Sequence, residues 1–130
     1  MKVLVNTCVW WKVLRRKTPD ISLANRLKDL IKDGRVAIIG PIRQEILSGI
    51  SDERQFKKLE KQLAAFEDIP LQSEYFVEAA RFSNLCRKKG IQGSTIDFLI
   101  CAVATSLKMS ILTTDQDFKI FSKYLNIVLS

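Results

Sequence analysis

Short unbroken apolar runs, set apart by longer stretches of helical period, constrain this chain more than any other feature. Val3-Leu4-Val5 and Val36-Ala37-Ile38-Ile39 lack the polar alternation of a half-exposed strand, and Ile111-Leu112 and Ile127-Val128 are shorter runs of the same kind. Such runs read as strands covered on both faces, the habit of a parallel sheet. Between them, Leu23, Leu27, Leu30 and Ile31 share one helical face, as do Phe56, Leu59, Leu63 and Phe66. Phe76, Ala79, Ala80 and Ser83 follow at the same spacing, and Ile96, Leu99, Ile100, Val103, Ala104 and Leu107 form the cleanest stripe. Each stripe predicts a helix packed on the core. Gly34, Gly40, Pro41, Pro70 and Gly90 punctuate the segments. Strands alternating with helices predict an α/β protein, an open sheet with helices on both faces. The 130 residues predict a single domain spanning 1–130, long enough to bury a core without disulfides.

Composition narrows the chemistry. Histidine is absent, which excludes histidine acid–base catalysis, a Ser-His-Asp or Cys-His nucleophile, and histidine zinc ligands. Cys8, Cys86 and Cys101 are odd in number and widely spaced, so they predict free thiols in a reducing, cytoplasmic setting rather than a disulfide framework or zinc site. No apolar run approaches the about 18 residues that cross a bilayer, and the first residues do not read as a signal peptide. The net charge of +7 favours a polyanionic partner. Basic residues cluster at Arg15-Arg16-Lys17, Lys57-Lys58-Lys61 and Arg87-Lys88-Lys89. Each cluster alone is also consistent with a solvated helix face.

The informative polar residues fall where strands give way to helices. Asn6-Thr7 follows the first strand. Pro41 to Glu45 follows the second, with Pro41 suited to a first helical turn. Thr113-Thr114-Asp115-Gln116-Asp117 follows the strand at Ile111-Leu112. Each has a structural role open to it: Asn6, Thr7 or Asp115 as helix caps, Glu45 as a surface acid, Ser94 to Asp97 as a capping box. Topology ties them together. Residues after the strands of a parallel sheet share one edge, where open α/β folds bind ligands. A helix from about Ser94 to Leu107 that turns into the strand at Ile111 must run antiparallel to it, which brings Asp97 beside Asp115. Three carboxylates and an amide are thus expected to converge on one pocket. Crowded carboxylates repel, and a divalent cation relieves that repulsion. Oxygen ligands favour Mg²⁺ or Mn²⁺, which can activate water and polarise a phosphoryl group. An acidic centre in a basic chain points to a nuclease.

These residues resemble the motifs of PIN-domain proteins. Val3-Leu4-Val5-Asn6-Thr7-Cys8 is similar to an opening that usually reads three apolar residues, then Asp-Thr-Ser. Ile42-Arg43-Gln44-Glu45-Ile46-Leu47 resembles the second acidic motif, Asp97-Phe98-Leu99-Ile100-Cys101-Ala102 the third, and Leu112-Thr113-Thr114-Asp115-Gln116-Asp117 the fourth. The ordered set covers nearly the whole chain and most resembles the VapC toxins of toxin–antitoxin pairs. The resemblance implies a three-layer fold with a five-stranded parallel sheet flanked by helices. It implies Mg²⁺- or Mn²⁺-dependent cleavage of RNA, a homodimer, and inhibition by a cognate antitoxin. It carries catalytic roles to Asn6, Glu45, Asp97 and Asp115, with metal contacts at Asn6, Asp97 and Asp115. It suggests supporting roles for Thr7, Thr114 and Asp117. Arg15, Arg16, Lys17, Arg87, Lys88 and Lys89 are the candidates for RNA backbone contact.

One departure bears on activity. The family pattern has Asp where this chain has Asn6, an amide that keeps an acceptor oxygen but loses the charge. Weak or absent cleavage is the expectation, and a catalytically silent module that binds RNA or protein is the alternative. A phospho-accepting receiver domain fits poorly, because Asp68 precedes its apolar stretch and the chain lacks a Lys after Ile127-Val128. Asn6-Thr7-Cys8 likewise lacks the Asp-x-Asp of a haloacid-dehalogenase-type phosphatase. Trp10 and Trp11 follow the first strand at helical spacing and read as core or dimer packing, with base stacking as the other use open to them.

Overall fold

The computed structural model describes residues 1–15 and 17–130; Arg16, one of the candidate RNA contacts, lies outside the described residues. The chain runs β1 (Val3–Val5), α1 (Thr7–Trp10), one π-helical turn (Trp11–Arg15), α2 (Ile21–Lys32), β2 (Val36–Ala37) and α3 (Gly40–Leu47). It continues through α4 (Glu53–Leu63), α5 (Ser73–Lys88), α6 (Thr95–Ser106), β3 (Ser110–Leu112), α7 (Asp117–Phe121) and β4 (Val128–Leu129).

The four strands lie in the order β2-β1-β3-β4, and every pairing is parallel. Val3 pairs with both Val36 and Ser110, so β1 is hydrogen-bonded on both sides. All three β1 residues are fully buried, as their unbroken apolar run requires. The chain leaves β1 toward β2, then crosses back past β1 to reach β3. The carboxyl ends of β1 and β3 therefore flank the switch point at which such sheets open a crevice.

The expected fifth strand is absent among the described residues. The stretch Asp68-Ile69-Pro70-Leu71 makes only an isolated parallel bridge, Asp68 to Ile38, in which the Ile69 N–H donates to the Ile38 carbonyl at 2.9 Å. Pro70 follows at once and has no N–H with which to extend a ladder. Arg43 holds this segment in place. Its guanidinium pairs with Asp68 at 3.0 Å and donates to the carbonyls of Leu63, at 2.9 Å, and Phe66.

The helices follow the apolar periods with one change of phase, and two end residues of the expected stripes, Ile31 and Leu107, are exposed rather than packed on the core, because each lies where its helix is ending. In α6, Phe98 to Ala104 are all buried, so this helix is the central one and packs most extensively on α5. In α2 and α4 the buried residues are Leu27 and Leu30, and Leu59 and Leu63. In α5 the inward face is Tyr75, Ala79 and Cys86, whereas Phe76 and Ala80 face solvent, contrary to the sequence expectation. Tyr75 and Phe76 are both aromatic neighbours, and only packing against α6 selects between two stripes a residue apart. Gly93 has a packing reason: a Cβ there would lie 2.7 Å from the Phe121 ring and 2.9 Å from that of Phe98. This close approach lets the loop deliver Ser94 to the start of α6.

Candidate functional site

Asn6 leaves β1 in extended conformation and caps α1, its side-chain oxygen accepting the Thr7 N–H at 2.8 Å. Its amide donates across the switch point to the Thr113 hydroxyl at 3.0 Å. Asn6 is 6% exposed, so both side-chain groups are committed to protein partners in a nearly dry setting. Thr7, equally buried, donates its hydroxyl to Glu45 Oε1 at 2.7 Å. Glu45 comes from α3, whose start is set by Pro41 in its first turn. The end of β1 is thereby tied to both α3 and the end of β3.

Ser94 and Asp97 form the capping box that their spacing predicts. Ser94 Oγ accepts the Asp97 N–H at 3.0 Å, and Asp97 Oδ2 accepts the Ser94 N–H at 3.2 Å. Capping does not exclude a second role, since a carboxylate has two oxygens and the box uses one. Burial holds the Asp97 carboxyl above its ordinary value; the hydrogen bonds with Ser94 oppose this, and the charges of Asp115 and Asp117 add to it. These three acids thus share one field, as the antiparallel run of α6 and β3 demands. Asp115 is itself fixed locally, accepting the Asp117 N–H at 2.9 Å and donating its own N–H to Thr113 Oγ1 at 3.1 Å.

Thr113 is the residue that sequence reasoning missed. Its hydroxyl oxygen accepts from Asn6 and Asp115 and lies 3.4 Å from Cys8 Sγ. Thr114, the expected positioning residue, contributes its backbone N–H to Cys8 Sγ at 3.4 Å. β3 ends at Leu112, so the two-residue period that assigns faces no longer applies at 113 and 114.

Convergence is looser than the sequence implies. Among the described residues, no three His, Cys, Asp or Glu side chains gather closely enough to hold an ion. The donor chemistry nonetheless suits a hard cation: Glu45, Asp97 and Asp115 offer carboxylate oxygens, and Asn6 an amide oxygen. The mutual charge acting on Asp97 is the repulsion such a cation would relieve.

Two clefts meet at Trp11. One of about 390 Å³ is lined by Glu45, Gln44, Pro41 and Ile96, and another of about 520 Å³ by Cys8, Lys12 and Arg15; Trp11 borders both. The Arg15 guanidinium lies 5.0 Å from the Trp11 ring centroid, a contact worth about 0.5–1 kcal/mol at an exposed site. Trp10, by contrast, is buried, meets Phe66 edge-on at 5.4 Å and donates its ring N–H to the Val5 carbonyl at 3.2 Å. Core packing thus holds for Trp10 and not for Trp11. Lys17 is exposed, as are Arg87, Lys88 and Lys89 at the end of α5, where Arg87 lines a cleft of about 360 Å³ with Gly93 and Phe98. Lys12 and Arg15 thus border the cleft beside Trp11, and Arg87 borders the one beside Phe98, the residue after Asp97. Cys86 and Cys101 are fully buried, and burial pushes the Cys101 thiol up. Among the described residues, no helix is long and apolar enough to cross a membrane.

The fold resembles several solved structures. FitAcB from Neisseria gonorrhoeae superposes with a TM-score of 0.80 at 17% identity, over 98% of this chain and 96% of that one. VapBC2 from Rickettsia felis, bound to a DNA fragment from their promoter, gives 0.78 at 22% identity, over 100% and 98%. VapBC-5 from Mycobacterium tuberculosis, a member of the VapBC family of toxin–antitoxin systems, gives 0.68 at 18% identity, over 99% and 98%. Identities of this size carry the fold alone. No curated protein matches the chain. The family profile described as PIN domain matches residues 3–124, from the first residue of β1 to beyond α7, and takes in every acid of the edge. The chain belongs to the PIN domain family.

Proposed function

We propose that this chain is a VapC-type toxin, a metal-dependent endoribonuclease restrained by a cognate antitoxin, whose cleavage is weakened by Asn6. The observation that carries this reading is the placement of Glu45, Asp97 and Asp115 along the carboxyl edge of a parallel sheet, at its switch point, in a chain of net charge +7. The chain belongs to the PIN domain family, and its fold is similar to that of VapBC-5, a member of the VapBC family of toxin–antitoxin systems, which supports an antitoxin partner; nuclease activity and a homodimer are what the resemblance to VapC toxins implies.

Asp97 and Asp115, with Asn6, are the residues that would hold Mg²⁺ or Mn²⁺, and Glu45 completes the acidic set. When bound, the ion supplies an activated water and polarises a phosphoryl oxygen. The chain's own residues prepare the rest. Thr7 fixes one oxygen of Glu45, so this carboxylate stands in the cleft with a defined orientation. Asp117 donates its N–H to Asp115 and adds negative charge toward Asp97, a supporting role. Arg15, Lys17, Arg87, Lys88 and Lys89 attract the phosphodiester backbone toward the edge.

Asn6 favours a second reading, a catalytically silent binding module, because its oxygen is spent on the Thr7 N–H and its amide on Thr113. An Asp in its place would keep the cap and restore charge, while the Thr113 hydroxyl could turn to donate to it. Cleavage of an RNA panel by the chain and by Asn6→Asp, each with Mn²⁺, Mg²⁺ or chelator, separates the two readings. The enzyme reading expects cutting by the variant alone or far more strongly, and only with metal. Cutting undiminished by chelator would refute the metal-dependent mechanism, strong cutting by the unaltered chain would refute the role given to Asn6, and silence of both proteins would favour the binding module.

A further inference from the structure

We infer that Trp11 is a stacking platform for one unpaired nucleobase, a site that selects single-stranded RNA and feeds it to the Glu45 cleft. The inference rests on the ribonuclease reading and adds to it the residue that grips the unpaired strand.

Trp10 and Trp11 are adjacent yet have opposite fates. Trp10 is 2% exposed and its ring N–H is satisfied, whereas Trp11 is 40% exposed and starts the π-helical turn. Arg15, four residues on, lies over one face of the indole at 5.0 Å, so a base would stack on the opposite face. Trp11 is the residue common to both clefts, the one that reaches Glu45 and Ile96 and the one that holds Lys12 and Arg15. A flat π surface with cations on one side and a carboxylate on the other matches the alternation of base and phosphate in a nucleic acid strand. Every base presents a π face, so stacking needs no sequence match. The bases of a duplex are already stacked on each other, and only an unpaired nucleotide can reach a platform on the protein. A protein partner would also cover an indole, but the charges that flank this one are those a polyanion seeks.

The test is equilibrium binding in chelator, where no cleavage intrudes. The probes are a mixed-sequence RNA of about eight nucleotides, within the span of common single-strand sites, and the same sequence as a blunt duplex. The proteins are the intact chain, Asn6→Asp, Trp11→Phe and Trp11→Leu, with circular dichroism to establish that each is folded. Single-stranded RNA is expected to quench the emission of the exposed indole, and the duplex to leave it unchanged. Trp11→Phe keeps most of the affinity, and Trp11→Leu lowers it by about tenfold or more for the single strand only. Unchanged single-strand affinity in Trp11→Leu overturns the platform while leaving the ribonuclease reading intact, and leaves this face to a protein partner. Equal weakening toward single strand and duplex overturns it too, since stacking cannot act on a closed duplex. Failure of both the chain and Asn6→Asp to bind any RNA overturns the platform together with the ribonuclease reading.

Discussion

Thr7 and Glu45 stand 38 positions apart and share a 2.7 Å hydrogen bond, whereas Ser94 and Asp97 stand three apart and complete a capping box. The first pair belongs to a buried side of the acidic edge, in which Asn6 also reaches Thr113 across 107 positions. The second belongs to a more open side, where Asp97 and Asp115 each accept a backbone N–H from a near neighbour in sequence. One side exists only because the sheet and α3 have come together. The other is built by helix starts and turns that satisfy their own backbone groups. Geometry on the long-range side is thus coupled to global stability, while on the local side charge is concentrated with less tertiary restraint. A site that must hold like charges close together gains from this division, since the rigid half sets the frame and the local half supplies the crowded acids.

The sharpest break of this comparison falls on the local side. In the Asn6→Asp background, Asp97→Asn keeps an oxygen to accept the Ser94 N–H, so the helix start survives, while the charge is lost. Metal-dependent cleavage is expected to fall by about 100-fold or more, given the several kcal/mol of charge stabilisation that rests on a bound ion, with no loss of thermal stability. A parallel loss of stability would show that Asp97 acts as a cap alone. On the long-range side, Thr7→Val leaves Glu45 without its donor at constant shape. Urea unfolding is expected to show a loss of about 2 kcal/mol, the range for a hydrogen bond to a charged group, and Thr7→Ser is expected to restore most of it. An equal stability for Val and Ser would mean that the bond between α1 and α3 is not part of the frame.

Ser94→Ala probes the local side again and removes only a cap. Its expected cost in the same unfolding assay is smaller, about 1 kcal/mol, and a cost equal to that of Thr7→Val would erase the distinction between the two sides. The smallest effect is a pH slope. Desolvation, with the charges of Asp115 and Asp117, raises the Asp97 carboxyl in the folded protein. Between the ordinary Asp range and this raised value the folded state holds a proton that the unfolded chain has lost. Without metal, this acid's contribution to stability falls as pH rises through that window and is level above it. Asp97→Asn is expected to remove this part of the slope in melting temperatures measured across mildly acidic pH. An unchanged slope would mean that burial does not raise the Asp97 carboxyl.

Much of this was legible from residues alone. Val3 to Val5 announced a buried parallel strand, and the stripe from Ile96 to Leu107 announced the central helix, because burial on both faces leaves no position for a polar residue. The candidate acids were marked by their place after strands and at a helix start, and the structure keeps those places. Thr113 was passed over because neither threonine of Thr113-Thr114 carries a mark of the direction its side chain takes beyond the strand end. The missing fifth strand had its signal in Pro70, whose lack of an N–H outweighs the apolar neighbours Ile69 and Leu71. The choice between Tyr75 and Phe76 as the inward residue of α5 was not legible, since both satisfy a helical period.

By itself, the sequence determined the main helices, the parallel habit of the sheet, the capping box of Ser94 and Asp97, and the positions of Asn6 and Asp115 after strands and of Asp97 at a helix start. These follow from local periodicity and backbone chemistry. Only the tertiary structure decided that Thr7 rather than solvent orients Glu45, that Thr113 receives the Asn6 amide, and that Trp10 enters the core while Trp11 stays outside. Those outcomes depend on which side chains meet across 38 to 107 positions of chain, a distance over which no local period carries information.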